Sequence, residues 1–378
     1  MIAISKERNI ERYQDTVMRK ILSFIPCLLS LILLAGCSQN SAEEYVGEQI
    51  TSMKEKDTNN FTALLEDGIA ESNKSFILQF PEELREPYLE FMQNAFQAIK
   101  FEVSKSKKLE NGNYSVQLTY TPINISDTLK SDNTDLLDSL ETVDLTEAAS
   151  IILEEDSKIL ADSPVYDDET LSTLDITKEG DNYSITSDSM KNFLSLALHG
   201  YMEPYNMICD ILNTYDFINA YLDASFKGEV TQFAKHTDKT EEEALAWYEE
   251  DVFDPPSDMS EAYIPRYKEA LKTILKQCQY TVGIPHKESG IYSYTVDITT
   301  TPNHSFADAY AEFEQGTYYS IEEASAGLVQ AMEKYAAAPT YGKETTVNVP
   351  ISTSSLLDAG NDNSELTNLA VTILVKPQ

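Results

Sequence analysis

Apolar residues along this chain follow two spacings, one helical and one alternating, and the two appear in the same order twice. Val46, Ile50 and Met53 fall on one side of a helix of about 3.6 residues per turn, which predicts a helix over about 42–56. A matching pattern predicts another over 209–227. A second helical stretch follows in each half. It is clearest at Thr240 to Phe253, where Thr240 is a capping residue and Glu241 to Glu243 occupy the first turn, the end of the helix dipole that favours acids. A third helix starts after prolines (Pro81 and Pro87, then Pro265) and leads directly into a strand. That strand turns back through Asn111-Gly112 or Ser289-Gly290, both hairpin signals. The return strands alternate, with Tyr114, Val116, Leu118 and Tyr120 on one face and Tyr294, Val296, Ile298 and Thr300 in the second half. Each ends in Thr-Pro (Thr121-Pro122, Thr301-Pro302), because proline has no N–H for the ladder. After an acidic loop comes a helix near Glu147 or Glu322, and then the final strands. In the first half these are Leu171 to Thr177 and Tyr183 to Thr186, joined by Lys178-Glu179-Gly180-Asp181. In the second they are Thr345 to Ile351 and Leu366 to Val375, joined by a longer loop around Gly360-Asn361.

The recurrence extends to residue identity. Val46 to Phe61 aligns with Ile218 to Phe233 without a gap, and Tyr88 to Val103 aligns with Tyr267 to Val282. Glu147 to Thr170 aligns with Glu322 to Thr345, keeping Glu147/Glu322, Ala149/Ala324, Leu153/Leu328, Pro164/Pro339, Tyr166/Tyr341 and Thr170/Thr345 identical. An internal duplication is the economical explanation of such blocks at nearly constant offset. The expected organisation is a leader over 1–37, a first α+β module over 38–200 and its duplicate over 206–378, with the boundary near Gly200 to Tyr205. Each module is expected to pack three to four helices on a curved antiparallel sheet of about four strands.

The leader carries its own signal. Arg19 and Lys20 precede the apolar run Ile21 to Gly36, which is too short for a spanning helix of about 20 residues, contains Pro26 and gives way to Ser38-Gln39-Asn40-Ser41. Leu34-Ala35-Gly36-Cys37 resembles the lipobox of bacterial lipoproteins. The resemblance implies cleavage before Cys37, a diacylglycerol on its sulfur, and a location on the outer face of the cell membrane. Two or more acyl chains anchor stably where one does not. Met18 opens a conventional Met-Arg-Lys start, so translation is expected to begin there.

Taken with Cys37, the Thr-Pro strand ends and the ending Lys178-Glu179-Gly180-Asp181-Asn182-Tyr183, the chain is similar to lipoproteins of Gram-positive bacteria that carry an uncharacterised domain. The helix, helix, helix-to-strand, hairpin order resembles the cystatin-like or nuclear-transport-factor-like cone fold. That likeness implies a fold and carries no function by itself.

Charge narrows the partners. The formal net charge is −35, and residues 1–37 hold five basic against three acidic side chains, so the segment after Cys37 is more acidic still. Nucleic acid, which is bound through neutralised phosphates, is set aside as a partner. A membrane reached through the lipid anchor, and a protein or small ligand, are what remain. Cys27 and Cys37 belong to the leader, leaving Cys209 and Cys278, which an exported protein could pair.

Chemistry is sparse. His199, His236, His286 and His304 lack a partner at metal-ligand spacing, and there is no GxSxG, P-loop or GxGxxG, so no catalytic residue, metal or cofactor is assigned. The acidic stretches Asp132 to Asp138 and Asp358 to Glu365 lack the order of a calcium loop. Trp247 and Tyr248, with Tyr318 and Tyr319, are read either as core or as the aromatic lining of a cone mouth. The expected function is thus a membrane-anchored, non-catalytic binding or interaction protein. The alternatives are a cone-fold enzyme using a cavity carboxylate or His, and the solute receptor of an importer, which would show parallel β-α units.

Overall fold

The computed structural model describes residues 41–377 apart from 56–57, 131–135, 138–139, 252–254, 289–292 and 353–363. Cys37 and the leader therefore lie outside the described residues, as do the Ser289-Gly290 turn and most of the two acidic stretches. The protein is α+β, with antiparallel strand pairs and helices that dominate the core. It divides into two compact units. One comprises the chain up to Ser52 with Phe101–Thr119 and Leu171–Met190; the other comprises Met53–Lys100, Tyr120–Thr170 and Lys191–Gln378.

The first unit is built on a five-stranded sheet. Its strands are β1 (Phe101–Val103), β2 (Lys107–Lys108), β3 (Tyr114–Tyr120), β5 (Thr170–Glu179) and β6 (Asn182–Ile185), in the order β1-β3-β5-β6 with β2 paired to β3. The predicted alternation is present: Val116, Leu118 and Tyr120 are buried, while Gln117 is exposed. The Asn111-Gly112 turn forms as expected, with Gly112 at φ 88°. Gly180 at φ 63° turns β5 into β6, and neither glycine has any atom within reach of a Cβ, so the backbone conformation alone selects glycine there. Helix α1 (Ala42–Lys54) enters this unit, with Val46 and Ile50 fully buried.

The second unit holds most of the helices: α2 (Asn59–Ser75), α3 (Arg85–Gln97), the short α4 (Ile125–Leu129), α5 (Leu145–Asp162), the end of α6 (Ser187–Ala197), and α7 (Glu203–Lys227). Then come α8 (Thr231–His236), α9 (Glu241–Asp251), α10 (Ile264–Lys276), α11 (Ser305–Phe313), α12 (Ile321–Ala337) and α13 (Ser364–Ile373). Thr240 caps α9 as the sequence implies: its hydroxyl accepts from the Glu243 N–H, and the Glu243 carboxylate accepts from the Thr240 N–H. A four-stranded antiparallel sheet follows α10. Here β10 (Ser293–Thr301) pairs with β11 (Thr345–Ser352), β8 (Gln279–Val282) and β9 (His286–Lys287). Tyr294, Val296, Ile298 and Thr300 all point into the core.

Helix α7 begins earlier than the predicted 209, and it packs against both α5 and α10. Two Asp-Tyr-Lys clusters fasten it to the sheet. The Tyr280 hydroxyl and Lys227 donate to Asp223, both at 2.6 Å, and Lys287 and the Tyr294 hydroxyl donate to Asp210.

The aligned sequence blocks adopt the same backbone pattern. Asp167 N–H donates to Pro122 O and Gly342 N–H to Pro302 O. Asn124 N–H donates to Val165 O and His304 N–H to Thr340 O. The aligned tyrosines bridge alike, Tyr166 to Ile123 and Tyr341 to Asn303. Their hydroxyls reach the carbonyls at the ends of the third helices, Tyr341 to Gln277 at 2.9 Å and Tyr166, more loosely, to Ala98 at 3.5 Å.

One expected element is wrong. Leu366 to Val375 is not a strand; Ser364–Ile373 is helix α13. Its Leu369 and Ile373 are buried four residues apart on one face, and Asn303 donates to the Ile373 carbonyl and accepts from the Val375 N–H, which closes the end of the helix. Helix α6, which precedes β7 (Leu198–His199), was likewise not anticipated in the sequence. β7 pairs with β4 (Ile123–Asn124) in parallel, as Leu374 bridges Asn303.

Candidate functional site

The four aromatic residues singled out in the sequence separate into two groups. Trp247 packs on Phe233 at 4.7 Å between ring centroids and on Tyr221 at 6.3 Å, as part of the core around α7, α8 and α9. Tyr248 is 1% exposed beneath Gly228. Burial pushes its hydroxyl up to about 12. Among the described residues, these two therefore pack in the core.

Tyr318 and Tyr319 lie elsewhere, in the turn between α11 and α12. They line a cleft of about 500 Å³ together with Met259, Tyr310, Phe313 and Leu328. Tyr318 stacks on Phe313, with centroids 4.8 Å apart and planes 18° from parallel, and its hydroxyl donates to the Phe313 carbonyl. Two glycines make room for that ring. A Cβ on Gly316 would come within 2.3 Å of the Tyr318 hydroxyl oxygen and one on Gly327 within 2.4 Å of the ring. Tyr310 is held from behind, its hydroxyl 3.2 Å from that of Tyr267. Tyr319 is 88% exposed and stands with Ile321 at the rim.

Polar groups on the wall are few. Ser325 accepts from the Ser260 N–H, which ties the 256–260 segment to α12. Ser320 caps α12 by accepting from Glu323 N–H, and the Glu323 carboxylate accepts from Tyr319 N–H. Asp258 is the carboxylate on the lining, and it is exposed. The sequence pointed to Tyr318 and Tyr319 but missed Tyr310, Phe313 and Met259. The available signal was aromatic density, since Phe306, Tyr310, Phe313, Tyr318 and Tyr319 fall within one short stretch.

Two of the histidines pair with aspartates. His236 is almost wholly buried, 2.8 Å from Asp216, and edge-on to Phe217. Burial pushes the Asp216 carboxyl up, but hydrogen bonds from His236 and Gln232 outweigh it and leave the group below its ordinary value. His199 meets Asp167 at 3.0 Å at the surface, and Asn124 donates to the other oxygen of that carboxylate. His304 precedes α11 and His286 lies in β9. Cys209 and Cys278 are buried free thiols. Among the described residues no three His, Cys, Asp or Glu side chains converge as metal ligands would, and no helix is long and apolar enough to cross a membrane. No protein-family model, curated protein or solved structure matches this chain.

Proposed function

We propose that this chain is a lipoprotein anchored through Cys37 on the extracytoplasmic face of the cell membrane, and that its duplicated α+β modules serve binding rather than catalysis. The ligand site in this reading is the cleft between α11 and α12. One observation carries it: a preformed aromatic cleft of about 500 Å³, within the range of small-molecule sites, whose wall carboxylate is exposed rather than buried beside an acid or base. An enzyme of this fold would need a group held at a working pKa in an apolar cavity. An importer's receptor would need parallel β-α units, whereas the main sheets pair antiparallel. The paired backbone bridges around Tyr166 and Tyr341 support the duplication, and the Leu34-Ala35-Gly36-Cys37 run supports the anchor. The cone-fold likeness belongs to the same proposal.

Two measurements test it. Mass spectrometry of the membrane-extracted protein is expected to find acyl mass on Cys37, and Cys37→Ser is expected to release the chain from membranes. An unmodified Cys37 with full retention of the variant overturns the anchor. For the cleft, saturation-transfer NMR with neutral benzyl alcohol is expected to give a signal that Ala324→Trp, filling the cavity, removes. An identical signal from both proteins overturns the site.

A further inference from the structure

We propose that the cleft selects organic cations, namely molecules that carry a quaternary or similarly bulky ammonium group on a small uncharged body. This rests on the cleft being the ligand site. Four rings, Tyr310, Phe313, Tyr318 and Tyr319, contribute to its wall, and aromatic faces carry the negative end of a quadrupole that attracts cations. A cation needs fixed ring faces rather than a merely greasy hole, and Tyr318 is fixed: stacked on Phe313, bonded through its hydroxyl, and seated against two glycines that a side chain at either place would dislodge.

The charges around the rings agree in sign. From Ser305 to Gln330 the chain has Asp308, Glu312, Glu314, Glu322 and Glu323 and no basic residue, and Pro255 to Ile264 adds Asp258 and Glu261, again with no basic residue. Lys334, further along α12, is paired with Glu312. The C-terminal end of α11, the negative pole of that helix, falls at Phe313 on the wall. The opposing feature is the N-terminus of α12, a positive pole. Its own residues answer it, since Ser320 takes the Glu323 N–H and Glu322 and Glu323 occupy the first turn. Of these acids Asp258 is the one on the lining, and no lining residue carries a cationic side chain to receive an anion. A neutral apolar ligand would fit the rings but leave the Asp258 carboxylate on the lining without a counter-charge.

The test titrates the full-length protein with choline chloride by calorimetry. Its uncharged carbon isostere, 3,3-dimethyl-1-butanol, and a monomeric short-chain phosphatidylcholine are run alongside. Choline is expected to bind saturably and at least about tenfold more tightly than the isostere. Tyr318→Leu and Gly327→Ala are each expected to weaken choline about tenfold, the size of one desolvated cation–π contact. Raising salt is expected to weaken choline and leave the isostere unchanged. Binding of the phosphatidylcholine as tightly as choline, lost in Tyr318→Leu, supports the same chemistry with a lipid headgroup as its source; weaker binding assigns the free cation. Equal affinity for choline and the isostere overturns cation selection while leaving the cleft as a ligand site. So does absence of choline binding when benzyl alcohol still reports the cleft. Loss of every signal, benzyl alcohol included, overturns the site itself.

Discussion

Asn303 shows how much one buried polar side chain decides. It is fully buried, its amide donates to the Ile274 carbonyl at 3.1 Å, and its side-chain oxygen accepts from the Ser305 N–H at 2.9 Å. Ile123 makes the corresponding bridge to Tyr166, and nothing in the sequence pattern singled out Asn303 or its need for an amide. Replacing Asn303 by Leu strands the buried Ser305 N–H, while the Ile274 carbonyl keeps the Gln277 N–H, and we expect a loss of about 1–3 kcal/mol, read as a lower denaturant midpoint at unchanged slope. A midpoint equal to that of the parent protein would show that the Ser305 N–H finds another partner. The thiols make a second case. Burial pushes Cys209 and Cys278 each up to about 12 from an ordinary value of 9.0. A group with a raised folded-state pKa contributes its full stability below the unfolded value and loses it as pH rises towards the folded one. Thermal midpoints should therefore fall as pH climbs from about 9 towards 12, more steeply for the parent protein than for a Cys209→Ala, Cys278→Ala double variant. Equal slopes would remove the thiols from the account. Buried tyrosines such as Tyr294 act in the same direction and leave a residual decline.

At the scale of elements, strands were easier to read than the ends of helices. The alternation in β3 and β10 was unambiguous because one face of each strand is buried and a shift of one residue would expose it. The segment 366–375 was not: Leu366, Leu369, Ala370 and Ile373 suit a helix, while Val371, Thr372 and Val375 suit a strand. Packing of Leu369 and Ile373 into the core decides for the helix. The end of α7 was fixed by a different device. Gly228 stops the helix at φ 74°, its N–H donating to the Ala224 carbonyl, and a Cβ there would come within 2.8 Å of the Tyr248 ring. Left-handed backbone costs an L-residue about 1–2 kcal/mol before any clash, so Gly228→Ala should lower stability by at least about that amount in equilibrium unfolding. A neutral outcome would mean that the helix end and Tyr248 relax together.

For the molecule as a whole, charge is the dominant global property. A formal −35 on 378 residues repels itself, and screening over about 10 Å at 0.1 M salt relieves the strain. The thermal midpoint at neutral pH should rise between about 0.01 and 0.3 M sodium chloride; a flat response would show that the acidic side chains are spaced widely enough not to couple. Composition, the α+β class, the hairpin at Asn111-Gly112 and the cap at Thr240 could all be read from the chain alone, because each depends on local spacing or on one residue's backbone preference. The aromatic site could be read only in part. Tyr318 and Tyr319 stood out as a pair, but so did Trp247 and Tyr248, and nothing local distinguishes a ring that fills a core from one that lines a cleft. That distinction depends on what other elements bring within reach: Phe233 and Tyr221 pack on Trp247, whereas Tyr318 lines a cleft together with Met259 and Leu328. Local pattern determined which residues are buried and in which kind of element; the tertiary structure decided which aromatic residues line a cleft.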